Sequence, residues 1–291
     1  MPPPRLAPLD VLAAITVAAL WGGNMVAVKT AVSTLPPFLL TGLRFVIVAA
    51  LLLPFFRPRR DQMPLIALLA VLLGLGHFGL LFVAVQGMDA AAAAVAVQLS
   101  IPFSALVAWV AYREPLGWRR ASGLGLAFLG VALLAGEPHA NGIGPLLVMA
   151  ASTFCWALSN LVIKRIGPID PLALNGGMAL LAAPLLLTLS ALVEDHQLAA
   201  LAATGWAGWL GLGYIVIGAS LIAYSLWYWL VRRHSLNRIV PYTLLGPVVG
   251  ISGGVLLLGE PLTWYKLAGG ALTIAGVAVV QVWTGPKRES V

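Results

Sequence analysis

The sequence predicts an all-α polytopic membrane protein whose ten transmembrane helices form two inverted five-helix repeats. Three observations predict it. First, 60% of the 291 residues are hydrophobic and only 9% are charged, whereas a soluble domain carries about 25% charged residues. Second, the apolar residues fall into long runs, each close to the roughly 20 residues a helix needs to cross a bilayer. Third, one stretch occurs twice: REPLGWRRASGLGLAFLGVALL from Arg113 returns as GEPLTWYKLAGGALTIAGVAVV from Gly259. Aligned without gaps, nine of 22 positions are identical. Glu114, Pro115, Leu116 and Trp118 fall on Glu260, Pro261, Leu262 and Trp264, and Gly123 and Gly130 fall on Gly269 and Gly276. Matches among Gly, Ala, Leu and Val are cheap in so apolar a chain. The weight therefore rests on the E-P-L-x-W core.

Taken in order, the runs place helices over 9–32, 36–56, 63–86, 90–111, 116–135, 143–164, 171–192, 205–231, 237–258 and 262–283. The first is too long for the apolar region of a cleaved signal peptide and carries Asn24 and Lys29 near its end. The fourth and ninth contain Pro102 and Pro247, each of which removes a backbone hydrogen bond and kinks its helix. The fifth and tenth are the duplicated stretch. Several runs are separated by only a few residues, so they must pair as tight hairpins. The single cysteine, Cys155, excludes a disulfide within one chain.

Lys and Arg set the orientation. With a cytoplasmic N-terminus, fourteen of the 17 basic residues collect on one side, Lys29 and Lys266 lie on the other, and Arg44 falls inside a span. Both termini are then cytoplasmic. The net charge of +7 reflects this asymmetry rather than nucleic-acid binding. Five spans per half is an odd number, so the halves, 1–138 and 139–291, cross the membrane in opposite senses, as in many transporters. Further pairs agree with the duplication: Trp21 with Trp156, Lys29 with Lys164, Pro36 with Pro171, Gly42 with Gly177 and Pro102 with Pro247. Leu73-Gly74-Leu75-Gly76-His77 likewise pairs with Leu210-Gly211-Leu212-Gly213-Tyr214.

These motifs resemble the drug/metabolite transporter superfamily, specifically its EamA-type exporters. The resemblance is carried by LWGGN ending at Asn24, the Arg44–Phe45 pair, and the runs from Pro102 to Glu114 and from Pro247 to Glu260 that end in E-P-L. It covers nearly the whole chain. It implies a bacterial inner-membrane exporter of small metabolites, amino acids including aromatic ones foremost, with a central cavity between the halves.

The expected substrate-binding set is Trp21, Asn24, His77 and Pro102 from the first half and Trp156, Ser159, Tyr214 and Pro247 from the second. Spans one, three, four, six, eight and nine should surround the cavity, with five and ten bracing the outside. Paired kinks at the midplane commonly frame a transporter site, although a kink can also serve packing alone. His77 lies roughly 21 Å into its helix at 1.5 Å per residue, where an ionisable group faces the bundle or a water cavity. A histidine there can equally be bonded to a neighbouring helix. Tyr214, its repeat mate, should face it. Trp21 and Trp156 are mid-span, whereas Trp206, Trp209, Trp264 and Trp283 read as interfacial belt. Arg44 is expected to snorkel to the interface. Every Asp and Glu falls at a span end or in a loop, which disfavours carboxylate proton relays and leaves His77 as the one deep titrating group. Glu114 and Glu260 should cap or anchor helix turns.

An enzyme is not expected: the chain has no H-E-x-x-H, G-x-S-x-G or intramembrane aspartate pair. No cofactor or metal is implied. A channel would want a charged ring or filter motif, and none is present. A phosphorylated substrate would want several buried cations, and only Arg44 is available. The remaining partners are the lipid bilayer and an amphipathic, uncharged or zwitterionic small molecule. Amino acids lead and lipophilic drugs are the alternative. A monomeric state is compatible with this reading.

Overall fold

The computed structural model describes residues 6–113, 116–137, 142–234 and 236–282. Among them every regular element is helical. In chain order they are α1 (Pro8–Val32), α2 (Pro37–Leu52), α3 (Arg60–Gln86), α4 (Ala90–Tyr112), α5 (Trp118–Leu134), α6 (Gly144–Ile166), α7 (Pro171–Val193), α8 (Trp206–Arg233), α9 (236–258) and α10 (Trp264–Val282). A short helix, Gln197–Ala203, lies in the α7–α8 connection, where the sequence reading has only a loop. Seven of these, α1, α3, α4 and α6 to α9, are long and apolar enough to cross a membrane. Helix α2 is as apolar but has only 16 residues. Large side chains left open to the surroundings, such as Leu256 at 80% and Leu257 at 75%, suit contact with lipid and not with water.

Start signals explain the boundaries. Proline occupies the first turn of α1, α2, α6 and α7, where its missing N–H would be unpaired anyway. Asp170 caps α7 by accepting from the Leu172 and Ala173 amides. Two helices are irregular inside. Residues Ala70–Gly79 of α3 and Tyr214–Ile222 of α8 follow a wider, π-helical path, a feature that often marks functional sites. Narrow 3-10 turns precede both expected kinks, at Val97–Leu99 before Pro102 and Val240–Leu244 before Pro247.

Packing joins α5 to α10, α2 to α7, α4 to α9, α1 to α8 and α9, and α6 to α3 and α4. Lipid is as apolar as the helices, so close contact between small residues supplies the association. A Cβ on Gly22 would lie 2.5 Å from the Gly246 carbonyl, and one on Gly211 would lie 2.8 Å from that of Ala27. Those approaches hold α1 between α8 and α9.

Candidate substrate cavity

A cavity of about 650 Å³ opens between the helices. It lies within the range of about 300–1,000 Å³ found for small-molecule sites. Helices α1, α3, α4, α6, α8 and α9 all contribute walls, joined by Leu174, Asn175 and Met178 of α7 and by Gln281 of α10. Neither contribution was expected from the sequence, which placed the tenth span outside and left the seventh out of the ring. Helix α5 lines none of it and packs against α10 outside.

Five of the eight expected residues line this space: Trp21, Asn24, His77, Trp156 and Pro247. Pro102, Ser159 and Tyr214 do not. Ser159 is fully buried and donates back to the Trp156 carbonyl at 2.7 Å. Tyr214 turns toward α1, where its hydroxyl donates to the Leu20 carbonyl at 3.1 Å. Gly23 of α1, where a Cβ would lie 2.6 Å from that hydroxyl, admits it there, so it is not the opposite wall to His77. Each proline withdraws the backbone donor that the carbonyl four residues earlier would meet in a regular helix. Those carbonyls belong to Gln98 and Thr243, both on the cavity wall.

Aromatic rings make one side of the site. Trp21 meets Tyr224 and Trp227 with ring centroids 5.5 Å apart in each case, and Tyr224 stacks on Tyr228 at 5.8 Å. His77, also on the wall, contacts Trp156 at 4.9 Å and Phe78 at 4.7 Å. Tyr224 and Asn175 were both readable from the sequence as polar groups within spans, but neither was assigned to the cavity. The span of Asn175 was not among the six expected to surround it, and Tyr228 was not singled out.

His77 also makes the bond to a neighbouring helix that a structural histidine would make. Its Nδ1 lies 3.1 Å from the Ser152 carbonyl, and the Ser152 hydroxyl donates to the His77 carbonyl at 2.9 Å. The same Nδ1 lies 3.0 Å from the Ser152 hydroxyl, so carbonyl and hydroxyl together hold the ring against α6. Two other wall residues hold buried polar atoms without a partner: Asn24 Oδ1, an acceptor, and Asn175 Nδ2, a donor. Buried polar groups are normally paired, so these two are open to a ligand with matching groups.

Arg44 corrects one expectation. It does not snorkel: it is 3% exposed. Its Nε donates to Ser220 Oγ at 3.1 Å, and its guanidinium sits 4.2 Å from the centroid of Phe78. Helices α3 and α8 supply the contacts that cover this face of α2, and the aromatic faces give the charge an alternative to the interface.

The two ends of the cavity differ. Gly167, Ile169 and Pro171 of the α6–α7 connection border one end, beside Tyr228 and Thr243. Around the opposite helix ends, charged groups tie the helices together. Glu260 accepts from the Ala90 and Ala91 amides at 2.6 and 2.9 Å, capping α4, as expected of it; Glu114 lies outside the described residues. Lys266 is fully buried and bonds Asp89 at 2.5 Å and Glu137 at 3.3 Å. Lys29 donates to the carbonyls of Val85 and Gln86 at the end of α3 and of Met88 in the turn after it. Glu194 caps α2 through Phe38 and Leu39. Trp206, Trp209 and Trp264 are all exposed, while Trp283 lies outside the described residues.

The chain is similar to known proteins along most of its length. A "Probable amino-acid metabolite efflux pump" of Salmonella typhimurium is 32% identical over 283 residues, covering 93% of this chain and 94% of that protein. One of the same description from Escherichia coli is 31% identical over 288 residues, with the same coverage. An "Uncharacterized inner membrane transporter YedA" of Escherichia coli is 29% identical over 91% of this chain and 88% of its own length. A solved crystal structure covers 96% of this chain and 98% of its own at a TM-score of 0.62 and 20% identity, a likeness of fold. The model of the EamA-like transporter family matches residues 9–136 and again 143–282. With a family match across both segments and relatives above 30% identity, this chain is a member of the EamA-like transporter family, in the drug/metabolite transporter superfamily.

Proposed function

We propose that the protein exports small amphipathic metabolites, foremost amino acids with apolar or aromatic side chains, across a bacterial inner membrane. The observation that carries this reading is the cavity. Its aromatic wall suits an apolar side chain, while Asn24 Oδ1 and Asn175 Nδ2 offer an acceptor and a donor. The names of the relatives from Salmonella typhimurium and Escherichia coli support the substrate class, and that of YedA supports the membrane.

Alternating access between two inverted five-helix halves, 1–138 and 139–291, is the mechanism we assign. Exchanging each helix of α1 to α5 for its counterpart in α6 to α10 turns the α1–α8 contact into α6–α3 and α1–α9 into α6–α4. The pairs α5–α10, α2–α7 and α4–α9 map onto themselves. Such self-consistency is what a two-fold relation between halves requires. The double match of the family model supports the same division. With the basic residues cytoplasmic, the cavity borders the cytoplasmic α6–α7 connection, and the charged ties at Lys29, Glu260 and Lys266 hold the outer side shut. That is an inward-open state, ready to load from the cytoplasm. Both termini are then cytoplasmic. Rocking the halves would break the outer ties and expose the same site outward.

Reconstitution in liposomes tests this reading. A panel of amino acids should show saturable uptake and counterflow, with and without a pH gradient. Linear, non-competing flux would replace the carrier with a pore, and no flux of any amino acid would defeat the substrate class.

A further inference from the structure

We infer that Arg44 is the anion-recognition group of the transport site, so that the protein selects substrates carrying a carboxylate; the inference rests on the carrier reading above. Arg44 is 3% exposed on α2, and no carboxylate among the described residues forms an ion pair with it. A guanidinium at such depth is costly, and in a resting structure it is ordinarily matched by an acid. Here Ser220 takes Nε, aromatic faces take the plane, and Nη1 has no partner. Those faces are Phe78 at 4.2 Å, Phe45 at 5.4 Å and Phe82 at 5.8 Å. A cation stacked on rings keeps its in-plane donors available.

Its position makes the unused donor significant. Phe78 belongs to the cavity wall, and its ring centroid lies 4.2 Å from the guanidinium; Ser220, which takes Nε, lies four residues before the wall residue Tyr224 on α8. Arg44 therefore sits behind Phe78 and Tyr224, outside the residues that line the cavity. A planar carboxylate reaching between them would meet a planar fork of donors, the geometry in which Arg binds carboxylates through two bonds. One cation matches one carboxylate. Asn24 Oδ1, unpartnered on α1, is placed to accept from an ammonium, and the Trp21 and Tyr224 rings take the apolar part. The ligand class is an apolar carboxylate, most fully satisfied by an α-amino acid. Amines and amides of the same skeleton should be discriminated against.

The test compares three probes of one skeleton, L-phenylalanine, 3-phenylpropionate and phenethylamine, by ligand-dependent thermal unfolding of the full chain in detergent. The two carboxylates should stabilise the native sequence well above phenethylamine. Arg44→Gln should weaken both carboxylates at least tenfold while shifting phenethylamine less than twofold. Should Arg44→Gln fail to fold, Arg44→Lys takes its place: it keeps the charge but not the fork, and should weaken the carboxylates several-fold with the amine unchanged. If the carboxylates protect the native sequence no better than the amine, or if all three weaken together in a folded variant, Arg44 is a structural tie between α2, α3 and α8 and the inference is overturned. Loss of the carrier reading is seen separately, as absence of saturable flux in liposomes. Carboxylate-selective protection in detergent would stand through that result.

Discussion

Gly130 and Gly269 face each other so closely that a Cβ on either would lie 2.6 Å from the carbonyl oxygen of the other. The reciprocity extends one step along the helices. A Cβ on Gly276 would lie 2.6 Å from the Gly123 carbonyl, and one on Gly123 would lie 2.8 Å from that of Gly276. Gly123 and Gly130 are the repeat mates of Gly269 and Gly276, so each glycine touches the mate of the other. That is the contact pattern of an interface folded on a two-fold axis.

This crossing gives the first prediction. Gly130→Leu should lower the midpoint of thermal unfolding sharply or abolish recovery of folded protein, because the added atoms meet backbone that cannot move aside. Overpacking of this kind typically costs about 1–3 kcal/mol, and sometimes more. Gly125→Leu is the control: a Cβ there meets nothing within 4 Å. Equal tolerance at both positions would show that α5 and α10 do not cross this closely.

A second prediction concerns the cavity wall. Trp21→Ala, Asn24→Leu and Tyr224→Ala should each cut amino-acid flux in liposomes at least several-fold while leaving the detergent-solubilised protein monodisperse. Trp206→Ala, at a position 78% exposed, should leave flux within twofold. Should Trp206→Ala prove as damaging as the wall substitutions, the site has been placed wrongly.

The outer ties give a third. Lys266→Met leaves the buried Glu137 and the part-exposed Asp89 without their shared cation, and a buried acid without a partner is unfavourable. The closed arrangement should lose ground to the outward-open one. In a Cys155→Ala background, Ala92→Cys, which lines a small pocket beside Lys29 and Asp89, should react with an impermeant thiol reagent several-fold faster once Lys266→Met is added. An unchanged rate would mean that this cluster is not the gate.

Topology supplies the fourth. Accessibility tags at Val291 and within 197–203 should report opposite sides of the membrane, with Val291 cytoplasmic. Finding both on one side would sink the ten-span arrangement.

Helix positions were legible in the sequence because a bilayer imposes a length and an apolar composition on every crossing segment, and both are local properties. The spans read at 90–111 and 171–192 meet helices at Ala90–Tyr112 and Pro171–Val193. Trp21, Asn24, His77, Trp156 and Pro247 were legible as wall residues for a related reason. A polar or kinking residue at mid-span has few tolerable environments, and a repeat mate marks it twice. The direction each side chain faces was not legible. Tyr214 was assigned to the wall by symmetry with His77, yet the gap left by Gly23 on α1 admits its hydroxyl, which bonds Leu20. A wide π-helical stretch begins at Tyr214 but spans His77, so mates in sequence do not point alike.

The chain by itself determined membrane residence, the duplicated stretch, the family, and the pairs of residues that a two-fold relation would bring into correspondence. Each of these is written in composition, spacing or identity, and needs no neighbour to be read. Tertiary structure alone decided the fate of Arg44. By sequence it lay near enough to a helix end to reach water along its own flexible stem. Packing of α3 and α8 over that face, with Phe78 and Ser220 as its contacts, instead put a full charge in the interior. Where a long side chain ends depends on which helix covers it, and that is a property of the assembled bundle.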